Sequence, residues 1–144
     1  MDSYYVDTCI WLNLFKKEGD ETKGEPYWKI AEDFIARIVF SEGKQIVYSG
    51  IVLRELRFKL SEEELITSTS FIVREQKFKY VTLAPEDYSL ARELERQSNY
   101  SISFYDCIHV AVCKRCNFTL VTRDKQLIAF GSQFVPVIRP ERLP

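Results

Sequence analysis

The sequence predicts a three-layer α/β/α fold with a central, mostly parallel sheet flanked by helices. Two patterns carry that expectation. Short β-favouring runs alternate with longer segments of helical periodicity along the whole chain. Parallel strands need a crossover helix between them, and the order of the runs is β-α repeated. At 144 residues, one domain spanning 1–144 is expected, because a chain of this length seldom holds two cores.

The elements follow in order. Ser3 to Val6 is a short strand ending at Asp7, and Cys9 to Phe15 continues as a helix. Lys16 to Glu25 is polar with two glycines and reads as a loop. Pro26 opens a helix whose apolar positions include Trp28, Ala31, Phe34, Ile35 and Ile38, with Gly43 as its stop. The broad apolar stripe of this helix is a candidate dimer face.

Gln45 to Tyr48 is the second strand, and Ser49 caps a helix through Leu60. Ser61 and Glu64 have capping-box spacing and start a helix to about Glu75. Phe78 to Leu83 is a third strand, followed by a helix from Pro85 to about Gln97. Ser103 and Asp106 repeat the capping-box spacing ahead of a nearly all-apolar, hence buried, helix. Phe118 to Thr122 is the fourth strand, Asp124 caps a short helix from Lys125 to Phe130, and Phe134 to Ile138 is the last strand.

Hydrophobic residues at 46% and charged residues at 28% are a balance that supports a folded globule. The start has no basic leader and no apolar run is long enough to span a bilayer, so a cytoplasmic, membrane-free protein is expected. In that compartment the four cysteines are expected as thiols that pack in the interior. Cys113 and Cys116 form a CxxC, but at a helix C-terminus, where the dipole opposes a thiolate. No second cysteine or histidine pair completes a zinc site.

The net charge of -1 excludes a global positive field, so any nucleic acid must be held locally. Candidate patches are Arg54, Arg57 and Lys59; Arg74, Lys77 and Lys79; and Lys114, Arg115, Arg123 and Lys125. Solvated surface charge is the plain alternative for each. Most aromatic residues, Tyr80 among them, fall at core-like spacings, with Tyr105 a candidate for stacking on unpaired bases.

Open parallel sheets bind ligands beyond the carboxyl ends of their strands. Four acids sit there: Asp7, Glu55, Asp106 and Asp124. Each has a structural explanation. Asp7 and Asp124 can cap helices, Asp106 can complete a capping box, and Glu55 can pair with Lys59. Capping alone does not require all four to converge on one edge.

Converging carboxylates repel unless a cation compensates, and oxygen-only ligands select magnesium or manganese over zinc. Such a centre suits phosphodiester hydrolysis, with the cation activating water and stabilising phosphate charge. Thr8 and Thr122 stand beside acids and are candidate supports for them. His109, on an apolar helix, reads as a satisfied buried imidazole. A phosphorylated-aspartate enzyme is disfavoured, since Asp7 is followed by Thr8 and Cys9 without a second aspartate, and no Gly-rich phosphate loop is present.

At these residues the sequence resembles the PIN-domain nucleases, especially the VapC-like toxins of toxin-antitoxin pairs. The resemblance rests on Tyr4-Tyr5-Val6-Asp7-Thr8, Ile51-Val52-Leu53-Arg54-Glu55-Leu56, Asp106-Cys107-Ile108-His109-Val110-Ala111 and Leu120-Val121-Thr122-Arg123-Asp124. It implies a PIN fold, metal held by Asp7, Glu55, Asp106 and Asp124, and cleavage of RNA, single-stranded by expectation. It also implies a cognate antitoxin protein and a homodimer. Cys9 and Cys107 depart from the residues many relatives carry. A non-catalytic PIN-like module that binds RNA or protein is the alternative.

Overall fold

The computed structural model describes residues 1–144. Five strands, β1 (Asp2–Val6), β2 (Lys44–Tyr48), β3 (Phe78–Tyr80), β4 (Thr119–Val121) and β5 (Val137–Ile138), form one sheet in the order β3-β2-β1-β4-β5. Every pairing is parallel, so the expected mostly parallel sheet is parallel throughout. Seven α-helices connect the strands: α1 (Thr8–Phe15), α2 (Tyr27–Val39), α3 (Gly50–Lys59), α4 (Glu62–Arg74), α5 (Pro85–Gln97), α6 (Phe104–Cys116) and α7 (Lys125–Gly131).

The strand order turns back at β1, whose neighbours are β2 and β4. Crossovers of the usual right hand put α1 to α4 on one face and α5 to α7 on the other. The contacts agree: α1 packs on α2 and α3, whereas α5 packs on α6. A topological switch point therefore lies at the carboxyl end of β1, where Asp7 follows Val6.

One buried apolar cluster runs from Tyr4 to Leu143. Central strand β1 is buried on both faces at Tyr4, Tyr5 and Val6, as expected for a strand covered by helices on both sides. Fully buried Trp11, Phe34, Ile38, Leu56 and Leu127 anchor helices to it, each contributing about 1.5–3 kcal/mol by leaving water. The apolar stripe of α2 at Ala31, Phe34, Ile35 and Ile38 is spent on this core. No helix is long and apolar enough to cross a membrane.

Local signals behave as their chemistry dictates, with informative exceptions. Ser61 and Glu64 form a reciprocal capping box, and Ser49 accepts from Ile51 N. Ser103 accepts from Asp106 N at 3.2 Å, but the Asp106 carboxylate makes no return bond to the Ser103 amide. The strand expected over Phe78 to Leu83 ends at Tyr80, and the one over Phe134 to Ile138 begins at Val137. Phe134 and Val135 donate their amides back to the Gly131 carbonyl, and Pro136 has none to give. Helix α2 ends at Val39, ahead of Gly43. Several aromatics expected in the core, Tyr27, Phe58, Phe71 and Tyr80, are exposed. All four cysteines are free, with Cys107 and Cys113 buried.

Candidate metal centre

Asp7 leaves β1 at the switch point, anchored by its own amide, which donates to Val121 O of β4 at 2.9 Å. Its carboxylate does not cap α1. It turns into the protein, only 4% exposed, and Oδ2 accepts from Thr122 Oγ1 at 2.8 Å and from Cys9 Sγ at 3.1 Å. No lysine or arginine reaches it.

Asp106, at the third position of α6, faces the same space. Burial and the neighbouring Asp7 charge push its pKa up to about 7, with Glu55 and Asp124 adding to the repulsion and His109 opposing it. A carboxylate in that state is held in tension by its surroundings.

Glu55, on α3, makes no ion pair with Lys59. Its Oε1 accepts from Thr8 Oγ1 at 2.8 Å and lies 2.8 Å from His109 Nε2. Burial disfavours its charge, but the bonds from His109 and Thr8 outweigh that and leave its pKa below the usual value. Asp124 is exposed and does cap α7: Oδ1 accepts from Gln126 N and Leu127 N at 2.9 and 3.2 Å. Its structural role and its contribution to the acidic field coexist, since Oδ2 makes no hydrogen bond.

His109 is fully buried, as its place on an apolar helix suggests, but its partners are the acids. Nε2 is 3.6 Å from Asp7 Oδ1 as well as touching Glu55, while Nδ1 lies 2.7 Å from the Tyr5 hydroxyl, itself 2.7 Å from Ser49 Oγ. Burial would lower the His109 pKa, yet the Glu55 bond and the Asp7 and Asp106 charges raise it on balance. Nε2 carries the proton shared with Glu55, and the direction of the Nδ1–Tyr5 bond follows the charge on the ring. Sequence reasoning kept His109 outside the site. Its i+3 spacing from Asp106 is the signal that places both on one side of α6.

Donor atoms of Asp7, Asp106 and His109 all lie within 4.8 Å of one another, and Glu55 joins through His109. Asp7 is a buried acid with no lysine or arginine in reach, and its one basic neighbour, His109 at 3.6 Å, is already bonded to Glu55, so the donor set fits a bound cation. Both His109 nitrogens are engaged, which leaves the carboxylate oxygens as the candidate ligands, a set suited to a hard divalent ion. Thr8 and Thr122 orient Glu55 and Asp7 by the bonds above, and Thr122 also accepts from Asp124 N at 3.2 Å.

Fold and site together define an α/β domain with a cluster of carboxylates and one histidine at its switch point. The chain belongs to the PIN domain family, whose sequence model matches residues 4–132. Among curated proteins, none matches by sequence. Several solved structures share the fold at low identity. VapBC2 from Rickettsia felis bound to a promoter DNA fragment is 16% identical, with TM-score 0.70, covering 94% of this chain and 96% of that one. Mycobacterium tuberculosis VapC20, a sarcin-ricin loop cleaving toxin, is 20% identical at TM-score 0.69, covering 98% and 99%. FitAcB from Neisseria gonorrhoeae is 16% identical at TM-score 0.64, covering 97% and 99%.

Proposed function

We propose that this protein is a magnesium- or manganese-dependent endoribonuclease, the toxin of a toxin-antitoxin pair. The observation that carries the reading is the burial of Asp7 among Asp106, Glu55 and Asp124 without a neutralising lysine or arginine. Asp7, Glu55, Asp106 and Asp124 would hold the ion. The ion supplies charge compensation at the phosphate and a water acidic enough to act as nucleophile near neutral pH.

The chain's own residues do the positioning. Thr122 and Cys9 fix the Asp7 carboxylate by donating to Oδ2. Thr8 and His109 fix Glu55. Asp106 titrates near neutrality, at about 7, and a bound cation would favour its carboxylate form. Structural relatives include a toxin and a toxin-antitoxin complex, which supports a cognate antitoxin as partner; a cytoplasmic setting and single-stranded RNA as substrate belong to the same proposal. A homodimer belongs to the same proposal, with exposed Ile66 and Val73, two turns apart on α4, as candidate contacts.

The test is cleavage of a mixed single-stranded RNA panel by purified, antitoxin-free protein with magnesium, manganese or EDTA. Metal-dependent cleavage that disappears in Asp7→Asn and Asp106→Asn supports the reading. Folded protein that cleaves nothing in any condition overturns it in favour of a non-catalytic module.

A further inference from the structure

Helix α3 has a second working side. Glu55 turns toward the acids, while Gly50, Leu53, Arg54 and Arg57 line a separate open groove of about 520 Å³. Spacing of three and four residues puts Gly50, Arg54 and Arg57 on one stripe of the helix. The rest of the lining comes from the end of β3, the segment after it and α5, chiefly Tyr80 and Tyr88. Around the helix Glu55 stands roughly 100–160° from Gly50, Arg54 and Arg57, so the acids and the groove lie on different sides of α3.

Three observations give the groove a chemistry. Arg54 and Arg57 are exposed and form no ion pair, unlike Arg92, Arg96, Arg115 and Arg123, each of which holds a carboxylate. Tyr80 and Tyr88 are 57% and 43% exposed, large rings left in water on the wall facing those guanidiniums. The Tyr80 ring is also held in place: it packs edge-on to Tyr48 at 5.5 Å. Its hydroxyl lies where a side chain at position 50 would begin, 3.2 Å from an ideal Cβ on Gly50. The absence of that Cβ lets the ring lie over the first turn of α3.

We infer that this groove is a binding site for single-stranded RNA, with Arg54 and Arg57 taking phosphates and Tyr80 and Tyr88 stacking on bases. The inference rests on the nuclease reading for its substrate class. A polyanion approaching four carboxylates is repelled until it meets compensating charge, and unpaired arginines beside the acids supply it. Exposed rings paired with guanidiniums suit unpaired bases, because every base offers a stacking face. An acidic protein segment would use the arginines but would leave the tyrosine faces without planar partners.

The experiment measures binding separately from cleavage. The probe is a fluorescein-labelled, mixed-sequence 12-nucleotide RNA, followed by anisotropy in calcium across a salt series, with poly-glutamate as the peptide probe. Wild type is compared with Arg54→Ala/Arg57→Ala, Tyr80→Ala and Tyr80→Phe. These exposed positions leave the core intact, and the manganese-induced shift in Tm serves as a check that the acids are undisturbed.

The double arginine variant is expected to weaken RNA at least about tenfold and to flatten the log-log salt slope by about 1.4, at about 0.7 per lost phosphate contact. Tyr80→Ala is expected to weaken RNA about tenfold, with Tyr80→Phe near wild type, since the ring does the stacking. RNA affinity unchanged in every variant overturns the site. Loss of poly-glutamate binding with RNA binding retained overturns it too and assigns the groove to an acidic protein partner. Wild type that cleaves no RNA, yet loses RNA binding in these variants, sinks the nuclease reading and leaves the groove standing.

Discussion

Two aspartates are buried to nearly the same degree and treated in opposite ways. Asp87 on α5 is 1% exposed and Asp7 is 4% exposed. Asp87 is neutralised: Arg115 of α6 grips both oxygens at 2.9 Å, and Oδ2 also accepts from Ala84 N at 2.8 Å. Asp7 has only a threonine and a cysteine as donors, with Asp106, Glu55 and His109 around it. A buried carboxylate with its own arginine completes the fold. One whose only basic neighbour is a histidine shared with other acids marks a candidate ligand site.

The two ends of α6 express the same division. Its first two turns bring Asp106 and His109 to the acids, and its last turn sends Arg115 to Asp87. Substitutions at the two ends should therefore fail in different assays.

The largest effect is expected at Asp7. Asp7→Asn keeps the shape and removes a charge, so cleavage should fall by more than the roughly 10–100-fold typical of losing a group that merely supports a ligand. The protein should remain folded, and manganese should no longer raise its Tm. An Asp7→Asn protein that cleaves normally would erase the contrast with Asp87.

Arg115→Ala should do the reverse. It strands the Asp87 charge in the interior and is expected to cost about 3 kcal/mol in urea unfolding, with cleavage per folded molecule unchanged. A loss well below about 1 kcal/mol would mean that Asp87 finds other compensation.

Tyr5→Phe probes the seam between the two regimes. It removes the hydroxyl linking His109 to Ser49 and leaves a buried ring nitrogen without a partner, for an expected loss of about 1–2 kcal/mol. Circular dichroism melts with and without manganese would separate this loss from any effect on the ion.

The smallest effect is a pH dependence in EDTA. Asp106 has a folded pKa raised to about 7, so its contribution is fully present below its unfolded value near 4 and is lost as pH rises through about 7. His109, also raised, acts in the same direction: its contribution is present below about 6.5 and fades above its folded pKa. Glu55 is lowered, so its contribution is lost only on acidification below about 4.5. Metal-free Tm should therefore fall by a few degrees between about pH 5 and 8, less in Asp106→Asn and not at all with manganese bound. A flat profile in the metal-free wild type would show that the acids are already compensated.

Much of the architecture was legible because local chemistry encodes it. Alternating apolar periods announced parallel strands with crossover helices, and Ser49, Ser61 and Asp124 announced helix starts through side chains that bond amides two or three residues away. The placement of Asp7, Glu55, Asp106 and Asp124 after strand ends pointed to one edge of the sheet. Strand lengths at the edges were less legible. Whether Phe134 and Val135 extend β5 depends on the Gly131 carbonyl capturing their amides.

Sequence alone thus determined the order of elements and the edge at which the acids gather, because both follow from contacts within a few residues and from the direction of a parallel strand. Only the tertiary structure decided which charges are answered. Arg115 meets Asp87 across 28 positions, Glu55 meets His109 across 54, and Thr122 meets Asp7 across 115. Tyr80 and Tyr88 face Arg54 and Arg57 across a groove assembled from separate elements. Electrostatic energy depends on separation in space and on access to water, and neither quantity is carried by position along the chain.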